Sequence, residues 1–123
     1  MTGWTNADLT AIGDANEINV TTLRVDGTPR PFVTIWVVRV GDDLYVRSVR
    51  GRSGGWFRHA VQSLQGRIRA GGAERDVAFE EPDSSVHPAI DDAYRTKYRN
   101  SPSSVAAMIT PDATAATFRL LPR

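Results

Sequence analysis

Four arginines, three glycines and two aromatic residues lie within the fourteen residues of RSVRGRSGGWFRHA, at positions 47–60. Glycine lets the backbone approach a bound group closely and adopt conformations that other residues rarely reach. Arginine side chains donate paired, charge-assisted hydrogen bonds of the kind that phosphate oxygens accept. The composition of this stretch therefore indicates a phosphate-binding turn, and the alternative is a solvated basic turn before an ordinary core helix.

The order of elements around this stretch favours the phosphate-binding interpretation. The pattern predicts that a strand ends near Ser48, that an arginine-rich turn follows, and that a helix capped by Ser53 begins there. A helix start offers unpaired N–H donors and the positive end of the helix dipole, and both attract an anion. We expect Arg50 and Arg52 to bind the phosphate and Trp56, one turn into the helix, to cover an aromatic ring.

The composition gives little support to other kinds of catalytic site. The chain has no cysteine, which excludes a disulfide, a thiolate nucleophile and a cysteine zinc site. Its two histidines, His59 and His87, fall in unrelated elements, so we expect no metal site. The sequence has no G-x-S-x-G motif, although a Ser-His-Asp triad is defined by geometry and stays open. GRSGG lacks the lysine and the glycine spacing of a Walker phosphate loop.

Length, hydropathy and charge are those of one water-soluble domain spanning residues 1–123. No apolar run approaches the ~20 residues that a membrane helix needs. The first residues, MTGWTNADLT, do not resemble a secretory signal, so we expect a cytoplasmic protein. Residues 39–69 carry seven arginines against two aspartates, and residues 74–92 carry seven acids against one arginine. This division suits a basic anion site, a self-complementary contact between two copies, or neutralisation within the fold.

Short strands joined by tight turns position this stretch. A helix capped by Thr5 precedes the strands INVTTLRV, PFVTIWVVRV and LYVRSV, with a hairpin at Asp26-Gly27. The tryptophan-bearing helix, which we expect Gly66 to end, is followed by the strands RIRAGG and RDVAFE, the helices HPAIDDAYRTKYR and SSVAAMI, and the strand TAATFRLLP. We predict a mainly β fold, a six-stranded antiparallel split β-barrel with short helices on its rim.

The stretch DGTPRPFVTIWVVRVGDDLYVRSVRGRSGGWFRHA resembles the flavin-binding split barrels, the superfamily of pyridoxamine-phosphate oxidase and the deazaflavin-dependent nitroreductases. In the nitroreductase branch G-x-P-R, an aromatic residue in mid-strand, G-D-x-L-Y and a tryptophan-bearing helix recur. The whole chain, with GRIRAGG and AYRTKY, more closely resembles a family of short uncharacterised bacterial proteins placed near that superfamily.

This resemblance implies a bound FMN or deazaflavin and hydride transfer to a small molecule. The family's phosphate-binding turn falls on Arg50, Arg52 and Ser53. The resemblance also assigns a cofactor contact to the Ser48 hydroxyl. Thr34 and Trp36 lie on the strand that lines the isoalloxazine or deazaflavin ring in family members. Since that superfamily commonly places its cofactor at a two-fold interface, we expect a homodimer.

Two departures from the family pattern keep other functions open. Gln65-Gly66 stands where an N-P pair usually follows the helix, and the phosphate-turn lysine is absent, with Arg52 near its place. A relative that binds a small phosphorylated or anionic ligand without turnover is the first alternative. A nucleic-acid-binding barrel is the second, because arginines are interleaved with Tyr45 and Trp56. A net charge of only +1 and a pI of about 8.2 disfavour it. We expect no membrane partner.

Overall fold

The computed structural model describes residues 3–123, in which seven strands form one antiparallel sheet. The strands are β1 (Ile18–Thr22), β2 (Val33–Ile35), β3 (Val38–Val40), β4 (Asp43–Arg47), β5 (Gln65–Ala70), β6 (Ala73–Glu80) and β7 (Thr117–Pro122). The helices are α1 (Asn6–Gly13), α2 (Gly55–Ser63), α3 (His87–Lys97), α4 (Pro102–Met108) and α5 (Pro111–Thr114). Within residues 3–123, no helix combines the length and the apolar character needed to cross a membrane. The predicted mainly β fold with helices is confirmed.

The order of strands across the sheet is β2-β1-β5-β6-β7-β4-β3. The two edge strands, β2 and β3, follow each other directly in the chain, with only Trp36 and Val37 between them. The sheet must therefore curl until its two edges lie side by side, which produces a split barrel. A turn at Gly71-Gly72, two glycines with positive φ, joins β5 to β6, which pair over six residues on each strand.

The predicted count of six strands was wrong by one, because the single strand expected over residues 31–40 is broken. Its first part pairs with β1 and its second part with β4. Between them, the backbone of Val37 bonds to side chains that follow or end α3. Val37 N donates to the Tyr98 hydroxyl at 3.3 Å, and Lys97 Nζ donates to Val37 O at 2.6 Å. These two side chains satisfy the backbone groups that would otherwise pair in the sheet.

Lys97 and Tyr98 also attach this break to the loop that precedes β1. Lys97 Nζ donates to Ala15 O at 2.7 Å, and the Tyr98 hydroxyl donates to Asn16 O at 2.9 Å. Burial lowers the pKa of Lys97 to about 8 and raises the pKa of Tyr98 to about 12. The only lysine of the chain thus stabilises the point at which the barrel splits.

Two groups of buried side chains hold the helices on the sheet. The main core lies between the sheet and helices α1 and α2, and its members include Leu9, Ile12, Val20, Val46, Phe57, Ile68, Phe118 and Leu120. The second packs α3 and α4 against β3 and β4 through Val38, Tyr45, Ile90, Tyr94, Tyr98, Val105 and Met108. Each large apolar side chain buried in this way stabilises the fold by about 1.5–3 kcal/mol.

The ends of the first two helices follow the sequence prediction only in part. Thr5 caps α1 as predicted, and its Oγ1 accepts from Asp8 N at 3.1 Å. The prediction that Gly66 ends the second helix was wrong, because α2 ends at Ser63 and its C-cap residue is Leu64, which adopts a left-handed conformation with φ of 56°. Gly66 lies within β5, where a Cβ would overlap the carbonyl oxygen of Thr21. The absence of a side chain at Gly66 therefore allows β1 and β5 to pack closely.

Candidate functional site

The chain from Ser48 to Gly54 forms a tight turn between β4 and α2. Ser48 N donates to Ala116 O at 3.0 Å, and Gly51 N donates to Ser48 O at 3.0 Å. Gly51 has a φ of 70°, and a Cβ there would lie 3.3 Å from Asp112, so a side chain would be strained at this position. The predicted arginine-rich turn is present and is fixed against the segment that enters β7.

The prediction that Ser53 caps the following helix was wrong. Gly54 is the N-cap residue of α2, and it supplies no side-chain hydrogen bond. Ser53 belongs to a 3-10 turn, Gly51–Ser53, and its hydroxyl donates to Arg50 O at 3.1 Å. As a result, within the described chain the first amides of α2 have no side-chain acceptor, which leaves them available to an anion.

An open cleft of about 690 Å³ lies beside this turn. Its walls are the end of β2 with the break that follows, the turn from β4 to α2, and one side of α4. The lining residues are Val33, Thr34, Ile35, Trp36, Arg47, Ser48, Val49, Arg50, Gly54, Gly55, Trp56, Ser104, Ala107 and Met108. The volume lies within the ~300–1,000 Å³ range of small-molecule sites.

The structure brings together five of the seven predicted site residues. Thr34, Trp36, Ser48, Arg50 and Trp56 all line this cleft, whereas Arg52 and Ser53 do not. The five come from β2, the break that follows it, the turn after β4 and helix α2, so the fold, and not the local sequence, assembles them.

Ser48 and Arg50 provide the polar end of the cleft. Ser48 is 2% exposed and hydrogen-bonds within residues 3–123 only through its backbone, which leaves its hydroxyl without a partner there. Arg50 is exposed and takes part in the hydrogen bonds of the same residues only through its carbonyl oxygen. Gly54 approaches Ser48 so closely that a Cβ at Gly54 would lie 2.5 Å from Ser48 Oγ. A hydroxyl, a guanidinium and the start of α2 therefore lie at one end of the cleft.

Arg52, which was expected to bind the phosphate, points away from this end. Its guanidinium donates to Glu81 Oε1 at 2.5 Å and to Ala115 O at 2.9 Å, and it lies 5.1 Å from the centre of the Phe57 ring. The hydrogen bond to Glu81 raises the pKa of Arg52 above its ordinary value. The basic and acidic segments of the sequence neutralise each other at this point.

Two tryptophans flank the apolar part of the cleft. The Trp36 ring stacks on the Tyr98 ring, with 3.7 Å between centroids and 3° between planes. The Trp56 ring contacts Phe57 and Phe118 at centroid distances of 5.9 Å and 6.3 Å. Both indoles are half-buried, so each packs on the core and leaves part of its ring at the cleft. Flat apolar walls of this kind suit an aromatic ligand.

Sequence reasoning missed Arg47, whose side chain is fully buried beneath the cleft. Its guanidinium donates to Asp91 Oδ1 at 2.5 Å and to Met108 O at 3.1 Å, and its Nε donates to Thr117 Oγ1 at 2.9 Å. The remaining nitrogen lies 3.2 Å from His87 Nδ1. Because Met108 lines the cleft, Arg47 holds the α4 wall on the barrel. An arginine within the otherwise apolar LYVRSV was the available signal.

The surroundings of the histidine in this network favour its neutral form. Burial, and then the charge of Arg47, lower the pKa of His87 below its ordinary value. A neutral imidazole can accept a hydrogen bond at Nδ1, which is what the guanidinium of Arg47 requires. The network therefore depends on an unprotonated His87.

Comparison with known proteins gives one family and a set of similar folds. Residues 8–120 match the DUF2255 family, described as uncharacterized proteins conserved in bacteria. No curated protein matches the sequence.

Several solved structures have folds similar to that of this chain. The protein Atu2129 of unknown function from Agrobacterium tumefaciens str. C58 has a TM-score of 0.65 at 12% identity, over 89% of this chain and 48% of that chain. This chain thus spans about half the length of that protein. An F420 reductase has a TM-score of 0.54 at 14% identity, over 98% of this chain and 94% of that one. The FAD and heme binding protein from Mycobacterium smegmatis has a TM-score of 0.58 at 20% identity, over 95% of this chain and 65% of that chain.

At these identities the comparisons establish the fold alone. The fold is a split barrel, as the sequence resemblance implied, and the F420 reductase and the FAD and heme binding protein share it. The family match extends over nearly the whole chain, and the protein therefore belongs to the DUF2255 family of bacterial proteins.

Proposed function

We propose that the cleft binds a phosphorylated flavin-type cofactor, FMN or a deazaflavin, and that the protein is an oxidoreductase acting on a small molecule. The observation that carries the proposal is the polar end of the cleft. There the Ser48 hydroxyl, the Arg50 guanidinium and the start of α2 lie together without partners among residues 3–123. The F420 reductase and the FAD and heme binding protein, which share the fold, support the same ligand class.

The phosphate of the cofactor would lie at the start of α2. The free amides and the helix dipole favour a negative charge at this position, and Arg50 adds a charge-assisted hydrogen bond. Gly54 and Gly55 carry no side chain that would separate the phosphate from the backbone. Ser48, fixed at the end of β4, would donate its hydroxyl proton to a phosphate oxygen.

The ring system would lie between Trp36 and Trp56. Trp36 cannot shift freely, because Tyr98 stacks on it and the Tyr98 hydroxyl is bonded to the backbone. Thr34 beside it donates its hydroxyl proton to Asn19 Oδ1 at 2.7 Å, which orients that hydroxyl. When bound, a flavin or deazaflavin supplies the hydride chemistry, and the protein's part is to position it and exclude water.

The cleft suits a flavin better than a haem. The lining drawn from residues 3–123 contains no histidine, cysteine or tyrosine, and its one other residue of a haem-ligand type, Met108, would lack the histidine that accompanies methionine in such haem sites. Its polar end is built for a compact anion, which the phosphate of a flavin nucleotide supplies.

A split barrel that binds a small phosphorylated ligand without turnover is the second candidate. One observation favours it: across the described residues, the cleft lining contains no carboxylate, histidine, lysine or tyrosine that could act as an acid or base. Hydride transfer by a bound cofactor does not require such a group, so the same observation is compatible with the first candidate.

We further propose that a second copy of the chain covers the mouth of the cleft. Val33 and Val49 line the cleft and are 40% and 56% exposed. Apolar side chains at the rim of an open site suit a two-fold contact, which buries the same patch on both copies. Light scattering of the purified protein should give twice the chain mass of 13.5 kDa, and a mass equal to that of one chain would contradict this part of the proposal.

A binding titration tests the proposed function. Purified protein is titrated with FMN, with riboflavin and with a phosphorylated deazaflavin, and quenching of ligand fluorescence is followed at constant ionic strength. FMN or the deazaflavin should bind, and riboflavin should bind about tenfold more weakly than FMN if FMN is the ligand, because it lacks the phosphate. Failure of both phosphorylated compounds to bind would overturn the proposal. Binding without reduction or reoxidation of the ligand by any small redox substrate would favour the second candidate.

A further inference from the structure

A second cavity, of about 340 Å³, lies beside the second half of α2, away from the start of that helix. It is enclosed by the hairpin at residues 23–30 and by the second half of the helix. The polar side chains that line it include Arg24, Arg30, His59 and Gln62. None of the residues that line it also lines the cleft proposed for the cofactor.

The backbone of Arg30 is fixed beside this cavity, and its side chain makes no hydrogen bond to any other residue among residues 3–123. Arg30 N donates to Thr22 O at 3.0 Å, and Thr21 Oγ1 donates to Arg30 O at 2.5 Å, so the backbone is tied to β1. The Nε atom is buried and has no hydrogen-bond partner in the part of the chain that the structure describes. A buried donor without an acceptor costs about 1–3 kcal/mol, which a bound acceptor would remove.

The helix contributes two more groups to the same cavity. His59 and Gln62 are three residues apart and so lie on one side of α2. Neither side chain makes a hydrogen bond to any other residue in the part of the chain that the structure describes. Burial, and then the charges of Arg30 and Arg58, lower the pKa of His59 below its ordinary value. The surroundings of His59 are therefore electropositive.

The hairpin carries one carboxylate, whose pKa is lowered by hydrogen bonds from Thr28 and then by the charge of Arg24. Asp26, at the tip of the hairpin, accepts hydrogen bonds from the Thr28 amide at 3.0 Å and from the Thr28 hydroxyl at 2.7 Å. Its carboxylate is thereby engaged within the turn and does not line the cavity. Arg24 lines the cavity and donates to Pro29 O at 3.0 Å, which adds a second positive charge beside Arg30.

We infer that this cavity is a second binding site, for a small molecule that carries a phosphate or carboxylate group. The cavity is large enough for a small metabolite and is surrounded by two guanidinium groups, an imidazole and an amide. One of the guanidinium groups, that of Arg30, has no partner among residues 3–123. Guanidinium groups bind both kinds of oxyanion with paired hydrogen bonds, and the amide of Gln62 can donate a further one. The site is separate from the cofactor cleft and does not depend on a cofactor being bound there.

Nuclear magnetic resonance of the two histidines tests this inference. The chain contains only His59 and His87, and the variant His59→Gln identifies the signals of each. Inorganic phosphate and succinate are added separately, with chloride adjusted to keep the ionic strength constant. The His59 signals should shift in a saturable way, and its titration midpoint should move to higher pH, because a bound anion favours the imidazolium. A response to phosphate alone or to succinate alone would identify which oxyanion the site takes.

Two variants assign the response to this cavity. Arg30→Gln should weaken the effect of the anion on His59 about tenfold or more, whereas Arg50→Gln, in the cofactor cleft, should leave it unchanged. Because no side-chain partner of Arg30 is lost, Arg30→Gln should fold, and its thermal unfolding is measured to verify this. The inference is overturned if neither anion shifts the His59 signals of the unmodified chain, or if Arg30→Gln responds as strongly as that chain does.

Discussion

Arg50 and Arg52, two residues apart, should differ sharply in their importance for cofactor binding. Arg50 lines the cleft and its guanidinium is unengaged within residues 3–123, whereas Arg52 is paired with Glu81 and bonded to Ala115 O. A hydrogen bond to a charged group contributes about 1.5–3 kcal/mol. Since Arg50 is exposed, we take the lower end of that range, and 1.4 kcal/mol corresponds to a tenfold change in affinity. Arg50→Gln should therefore weaken binding of the phosphorylated cofactor roughly tenfold.

Arg52→Gln is the matched control, because it removes the same charge from the same turn. Its pair with Glu81 is half-exposed on both sides, so its loss should lower the free energy of unfolding by about 1 kcal/mol at most. Fluorescence titrations of both variants at one ionic strength, with the cofactor that binds the unmodified protein, give the comparison. Equal losses of affinity would show that only overall charge matters and would refute the assignment of the phosphate to Arg50. A larger loss in Arg52→Gln would refute it as well.

Three further predictions concern the walls of the cleft. Gly54→Ala should weaken cofactor binding, because its Cβ would displace the Ser48 hydroxyl, and the same titration checks this. Arg47→Met should lower the free energy of unfolding by about 3 kcal/mol in a urea titration, because the partly buried Asp91 and the carbonyl of Met108 lose the buried guanidinium that binds them. Stability should fall as the pH drops below 6.5, because the unfolded chain protonates His87 more readily than the folded one does; His87→Gln should reduce this dependence in urea titrations at several pH values.

Local sequence signals were enough to predict most of the strands and the position of the candidate site. The arginine- and glycine-rich turn after β4 and the two-glycine turn between β5 and β6 depend on residues close in sequence, and both are present. The cleft lies beside that first turn because a strand must end and a helix must begin there. Such turns can be predicted from the local sequence, because the geometry of a turn is set by the residues within it.

The features that were missed depend on contacts between distant parts of the chain. The break after Trp36 is stabilised by Lys97 and Tyr98, some sixty positions later, and the strand itself carries only β-forming residues. Arg52 was assigned to the phosphate because its acidic partner, Glu81, lies twenty-nine positions away and cannot be recognised locally. The wall formed by α4 was missed for the same reason, since Val105 and Met108 pack on the barrel and Arg47, from a distant strand, binds Met108 O.

A crystal structure of the protein with the phosphorylated cofactor that it binds tests the central claim most directly. The account predicts that the phosphate lies within hydrogen-bonding distance of Ser48 Oγ, the Arg50 guanidinium and the first amides of α2, with the ring between Trp36 and Trp56. A phosphate held elsewhere on the surface, or a ring outside this cleft, would contradict it.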